Sequence, residues 1–426
     1  MPKLSRRNVL VGGLAVAGAG LALARSSDES GPRAPYFKKM QAALKQAGIG
    51  QPTLVIDKER LNANIDLLVS DLPEQMGYRI VSKSLPSVDL LRHIRTRSGS
   101  DRLMTFNQPM LTTLSKEMPE ANQLLGKPLP AQAARNYFSS LAVEDKTATR
   151  NVQWLVDTPA RLNEYKAIAE AQGSVLAINI ELDVGLHRGG VKPGDDLATM
   201  LTSINEAPSL SFAGFMGYEP HLASVPNILG WQERERQSAL GIYKQALAAA
   251  ASVFSEADLK TITRNAAGSP TYRMYKNTDV ANEISAGSAL VKPTHFDTEL
   301  LQAFQPASFI ATPVIKSLDK TETAVLEFAD GVRGFMDSNL ERTIFIHGGN
   351  WLAEPEDPPG LRLNKTFGRS SNQEMLNAGS SLDIKADDFV FLRPTQSETV
   401  FLQFGDIAVY ENGKITEFWP VFPASA

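Results

Sequence analysis

Between Pro52 and Asp297, apolar runs of strand length alternate with segments of helical period, and no other feature of the 426 residues limits the fold as much. "NVQWLVD", "VLAINIELDVG", "LSFAGFMGYEP" and "KTITRNAAGSP" carry near-continuous apolar stretches, as strands covered on both faces require. Interleaved with such runs, "ERLNANIDLLVSDL", "PARLNEYKAIAEAQG" and "GWQERERQSALGIYKQALAAAASVF" repeat apolar residues every three to four positions. A strand–helix repeat joins parallel strands through crossover helices. A stretch of about 250 residues suits a closed (β/α)8 TIM barrel better than two doubly wound halves. The expectation is an α/β barrel over residues 51–300.

The flanks read differently. After Pro306, "ASFIATPVIKSL", "TAVLEFADG", "RTIFIHGG", "DDFVFLRPTQ" and "TVFLQFGDIAVYENGKITEFWPVF" read as strands joined by short turns, among them a hairpin turn at Glu411-Asn412-Gly413-Lys414. A C-terminal all-β domain is expected over 301–426. Residues 25–50 hold a polar linker and a short helix, "YFKKMQAALKQAG", ending at Gly48. At the N-terminus, Arg6 and Arg7 precede a Gly/Ala-rich apolar run and the small-residue site Ala22-Leu23-Ala24, the pattern of a twin-arginine export signal over 1–24. The run from Val9 to Ala24 is glycine-diluted and falls short of the ~20 residues of a membrane span. Periplasmic export through the twin-arginine translocase, or secretion, is expected. That route carries folded proteins, so a cytoplasmic cofactor can be loaded beforehand.

Composition removes several functions. Lys plus Arg number 43 against 47 acidic residues, for a net charge of −4, and no basic run offers itself to nucleic acid. Cysteine is absent, which eliminates disulfides, thiolate metal sites and cysteine nucleophiles. In a barrel the active site lies at the C-terminal strand ends. Reading the residues just after each apolar run gives Lys83 in "YRIVSKSLP", Asp183, His187 and Arg188 in "ELDVGLHRGGV", and Tyr218, Glu219 and His221 in "GYEPH". Gly268, Ser269 and Thr271 follow in "AAGSPT", and Gly287 and Ser288 in "NEISAGS". Taken singly, each is most often a solvated lysine, a structural histidine or an ordinary turn. Together they supply an amine for a Schiff base, an arginine for an anion and small-residue loops for a phosphate, the inventory pyridoxal phosphate needs.

These ordered motifs resemble the fold-type III pyridoxal phosphate enzymes, and among them D-threonine aldolase and eukaryotic-type D-serine dehydratase, over about Pro52 to Pro420. The resemblance implies an enzyme acting on a D- or β-hydroxy amino acid, most simply a lyase working through a Lys83 Schiff base. It places Arg188 beside the cofactor or the substrate carboxylate, with Tyr218 and His221 around the reacting carbon. Arg79, Gly268, Ser269, Thr271, Gly287 and Ser288 would hold the cofactor, and a homodimer is implied. In these aldolases and dehydratases the β domain supplies a His-x-Asp or His-x-Cys metal pair, where "RPTQSETV" puts Gln396 and Glu398. Glutamine is a poor ligand beside imidazole, which leaves at most a weaker oxygen-ligand site for a divalent metal. Ala289 stands where a tyrosine is usual, and Met375 where an acidic-His pair is usual. Other readings are an amino acid racemase, a pyridoxal phosphate-binding protein without catalysis, and a cofactor-free barrel hydrolase using Asp183 and Glu219.

Overall fold

The computed structural model of the protein describes residues 26–141, 144–366 and 368–423; the export signal expected over 1–24 lies outside them. The chain divides into two compact units. One comprises residues 57–307, 396–407 and those from 418 onward; the other comprises residues up to 56, 308–395 and 408–417.

The first strand of the chain, β1 (Thr53–Asp57), stands outside the barrel. Eight strands close the barrel: β2 (Gly77–Val81), β3 (Arg102–Thr105), β4 (Asn122–Leu125), β5 (Val152–Val156), β6 (Leu176–Leu182), β7 (Leu210–Gly217), β8 (Thr263–Ala266) and β9 (Glu283–Ala286). They pair in parallel in chain order, and β9 returns to β2 in a register running from Gly77↔Glu283 to Ile80↔Ala286. The helices between them start and stop where local chemistry dictates. Ser87 accepts from Leu90 N to cap Val88–Ser98, which ends on Gly99 at φ +70°, and Thr158 caps Pro159–Gln172, which ends on Gly173 at φ +58°. Such caps contribute about 1 kcal/mol each. The apolar faces of these helices pack on the strands, with Trp154 held between the rings of Tyr137, Phe138 and Tyr165.

The barrel interior is polar, although the strand sequences read as nearly free of charge. Arg79 on β2 and Glu283 on β9 are both fully buried and joined by two hydrogen bonds of 2.5 and 2.9 Å. Asn265 Nδ2 donates to Glu283 Oε1 at 2.7 Å and to Ser285 Oγ at 2.8 Å, which carries the network upward to the C-terminal strand ends.

The second unit is an antiparallel sheet. Its remaining strands are β10 (Ser308–Leu318), β11 (Arg342–His347), β12 (Ala353–Asp357), β13 (Arg362–Leu363), β14 (Gln373–Ala378), β15 (Phe389–Pro394), β16 (Ile407–Glu411) and β17 (Lys414–Trp419). The order is β13-β14-β11-β10-β1-β16-β17, with β15 on β10 and β12 on β15. Helix Pro35–Gln46 buries Phe37, Met40 and Leu44 against Val55, Phe309 and Phe391 of this sheet. Two expectations change. The run "PTLVID", taken as the opening of the strand–helix alternation, pairs antiparallel with β10 from Thr53↔Ala311 to Ile56↔Ser308, because its five buried residues serve a sheet as well as a barrel. "TAVLEFADG", expected as a strand, leads into helix Glu327–Met336, where Phe328, Val332 and Phe335 recur at helical spacing.

Candidate active site

A cavity opens at the C-terminal ends of the barrel strands, and every residue lining it belongs to the barrel unit. It adjoins an outer cleft of about 830 Å³, within the range of small-molecule sites, and Lys83, Phe106, Gly126, Arg188 and Glu398 line both. Lys83 follows β2 in the single turn Ser82–Ser84, which swings the chain off the strand and turns the ammonium inward. Its Nζ lies 4.6 Å from the centroid of the Phe106 ring, and among the described residues no hydrogen bond or ion pair holds it. Burial pulls its pKa below the ordinary lysine value; Glu398 acts against that, while Arg188 and Lys127 add to it. An amine in that state is neutral more often than a surface lysine and is therefore a better nucleophile.

The loops after β8 and β9 build another part of the wall, where glycines allow close packing. A Cβ on Gly268 would come within 2.5 Å of the Tyr218 ring, and one on Gly287 within 2.8 Å of Val81 O. Ser269 Oγ accepts from Gly287 N at 3.1 Å and Ala289 N at 3.0 Å, which ties the two loops together. Arg188 reaches over the Tyr218 ring at 5.2 Å, and burial raises the Tyr218 phenol, with Arg188 working the other way. The Glu398 carboxylate is pinned through Oε1, which accepts from Ser84 Oγ at 2.8 Å and Ser288 Oγ at 3.3 Å.

The cavity thus gathers Lys83, Arg188, Tyr218, Gly268, Ser269, Gly287, Ser288 and Glu398. Four expected site residues are not in its lining. Arg79, expected at the cofactor, spends its guanidinium on Glu283, on Leu103 O and on Asn122 O and Oδ1, all inside the barrel. Thr271 stands behind the wall, its Oγ1 donating to Glu219 Oε1 at 2.9 Å. His221 is half-buried beside Gly185, and burial lowers its pKa. Gln396 is exposed, whereas Glu398 lines the cavity. Among the described residues no group of three His, Cys, Asp or Glu side chains is placed to hold a metal ion.

The carboxylates proposed for a hydrolase are also separated by role. Asp183 Oδ1 accepts from Gly185 N at 3.1 Å and His187 N at 3.0 Å, and Oδ2 meets His187 Nδ1 at 2.8 Å, so it staples its own loop. Neither it nor Glu219 lines the cavity or the cleft. Sequence reading missed Phe106, Lys127, Asp157 and Glu181 in the cleft. Burial pushes Glu181 up to about 7, with Arg188 opposing and Asp157 reinforcing. Its signal was a carboxylate inside an apolar strand, two positions before Asp183 and so on the same side. Phe106 and Lys127 follow β3 and β4, each only four residues long and too short to announce themselves by periodicity.

Comparison with known proteins gives a consistent picture. The family profile "Alanine racemase, N-terminal domain" matches residues 56–294. The chain is 22% identical over 414 residues to 3-hydroxy-D-aspartate aldolase of Paracoccus denitrificans (strain Pd 1222), covering 93% of this chain and 97% of that protein. Among solved structures, D-threonine aldolase from Filomicrobium marinum superposes with a TM-score of 0.70 at 17% identity, covering 88% of this chain and 95% of that one. D-threo-3-hydroxyaspartate dehydratase from Delftia sp. HT23 gives 0.68 at 14% identity, covering 88% and 98%.

Proposed function

Because this chain belongs to the alanine racemase N-terminal domain family, we propose that it is a pyridoxal phosphate-dependent lyase acting on a D- or β-hydroxy amino acid. The observation that carries the proposal is the placement of Lys83, a partly desolvated amine without a hydrogen-bond or ion-pair partner among the described residues, in a cavity whose wall admits no Cβ at Gly268 or Gly287. The residues present fit the cofactor. Lys83 would take its aldehyde; Gly268, Ser269, Gly287 and Ser288 would hold its phosphate; and the arginine at 188 would meet a carboxylate. When bound, pyridoxal phosphate acts as an electron sink for charge left at the substrate Cα.

The chain's own residues supply binding, orientation and a dry site. Phe106 and Met104 line the cavity with Lys83, and the Phe106 ring lies against the amine. The Tyr218 ring carries the Arg188 guanidinium on its face, which limits where a substrate carboxylate can sit. The hydroxyls of Ser84 and Ser288 fix the Glu398 carboxylate on the Lys83 side of the cavity. The similarity to 3-hydroxy-D-aspartate aldolase supports lyase chemistry, and alanine racemases are also among the similar solved structures, which keeps racemisation as the second reading.

The test uses purified protein incubated with pyridoxal phosphate, then D-threonine, D-serine and D-alanine. The expected result is an absorption band that borohydride fixes on Lys83, with aldehyde or keto acid released. Lys83→Ala should lose both band and turnover. A colourless protein with no tagged lysine would sink the proposal, and racemisation of D-alanine without cleavage would replace lyase by racemase.

Export through the twin-arginine translocase, as a homodimer, completes the proposal. Export is supported by Arg6, Arg7 and the small residues before the linker, and the homodimer by the family resemblance alone. Cell fractionation should find the protein in the periplasm and lose it there on Arg6→Lys/Arg7→Lys substitution; retention in the cytoplasm by the unaltered chain would refute export.

A further inference from the structure

Glu219 is 1% exposed, lines neither the cavity nor the cleft, and has no part in the proposed reaction. It nevertheless holds both ends of the loop that forms the cavity wall. Its Oε1 accepts from Thr271 Oγ1 at 2.9 Å and its Oε2 from Ala267 N at 3.4 Å, and the Tyr275 phenol donates to it as well. Thr271 Oγ1 in turn accepts from Gly268 N at 3.2 Å, so one carboxylate fixes the orientation of three successive parts of the loop. The loop needs fixing. Ala267 sits at φ +66°, a left-handed conformation that costs an L-residue roughly 1–2 kcal/mol and persists only when its surroundings over-determine it.

Order at 267–271 also propagates. Ser269 lies between Gly268 and Pro270 on the cavity wall, and its hydroxyl accepts the amides of Gly287 and Ala289. The hydrogen-bonded path runs from a carboxylate after β7, through the loop after β8, to the loop after β9. The 287–289 turn adjoins the turn that carries Lys83, Ser288 Oγ lying 3.0 Å from Ser84 Oγ, while among the described residues no hydrogen bond joins the Lys83 amine to the path. We infer that Glu219 is the positioning residue for the cofactor's phosphate: it sets the 267–271 loop, and through Ser269 the 287–289 turn, without touching the ligand. This inference rests on the pyridoxal phosphate reading above, and it predicts that the two ends of the cofactor respond differently to change at position 219.

The experiment compares two aldehydes that share the Lys83 chemistry and differ in phosphate, pyridoxal phosphate and pyridoxal, by titrating the Lys83-dependent absorption band of the full protein. Glu219→Gln keeps the size of the side chain but cannot accept from both donors. It should weaken pyridoxal phosphate by about tenfold or more and leave pyridoxal within about twofold. Thr271→Val removes the hydroxyl between Glu219 and Gly268 N and should give the same split if Glu219→Gln fails to fold, while Thr271→Ser should restore it. Equal weakening of both aldehydes, or no change in either, overturns the inference while leaving the Lys83 proposal standing. Failure of the unaltered protein to give a Lys83-dependent band with either aldehyde overturns both.

Discussion

Arg79 stands four positions before Lys83, and the two cations differ in what surrounds them. The guanidinium is wholly buried and fully partnered, with Glu283 and Asn122 side chains and two main-chain carbonyls taking its donors. Among the described residues the ammonium has no such partner, and it faces a cavity. The family resemblance put both at the cofactor; in the structure the pairing of β2 with β9 sets Glu283 against Arg79. Removing one member of a buried ion pair leaves the other charged and unsolvated, at a cost of about 3–5 kcal/mol. Arg79→Met should therefore destabilise the protein by that order in denaturant unfolding, whether or not cofactor is present. An effect confined to cofactor affinity, with unchanged unfolding, would return Arg79 to the cofactor site.

At the scale of elements, the long periodic segments were legible and the short ones were not. The helices Lys58–Asp71, Pro159–Gln172 and Trp231–Ala251 lie where their apolar spacing predicts, and β5, β6 and β7 coincide with the apolar runs. The hairpin between β16 and β17 turns through Asn412 and Gly413, both at positive φ, as the Asn-Gly pair dictates. By contrast β3 and β4 have four residues each, and the cleft residues Phe106 and Lys127 that follow them went unread. Helix Glu327–Met336 was read as a strand because a short apolar stretch satisfies either period until its neighbours arbitrate. The loops after β7, β8 and β9 were picked out as small-residue and polar motifs, yet their sequence carries no sign that Thr271 would face away from the cavity toward a buried carboxylate.

The molecule as a whole registers that carboxylate in its pH dependence. Burial pushes Glu219 up to about 7 despite the donors around it, whereas in the unfolded chain its pKa is near 4.5. The folded state therefore holds a proton that the unfolded state has released over this window. The stability linked to that proton is complete below about pH 4.5 and lost as pH rises through 7. A shift of that size corresponds to about 3 kcal/mol. Glu219→Gln should gain stability relative to the unaltered protein between pH 5 and 8 in parallel denaturant titrations; a constant difference across that range would show that Glu219 does not titrate there. What the sequence determined by itself was the repeat of strand and helix, the absence of thiol chemistry, and the set of motifs that carry a lysine, an arginine and small-residue loops. These follow from local periodicity and composition, which a chain cannot hide. Only the tertiary structure decided that β1 joins the antiparallel sheet, that Arg79 belongs to the barrel interior, and that Glu398 enters the cavity while Gln396 stays outside. Those outcomes depend on which strand pairs with which and on what each buried charge finds opposite it, and neither is encoded in the spacing of residues along one segment.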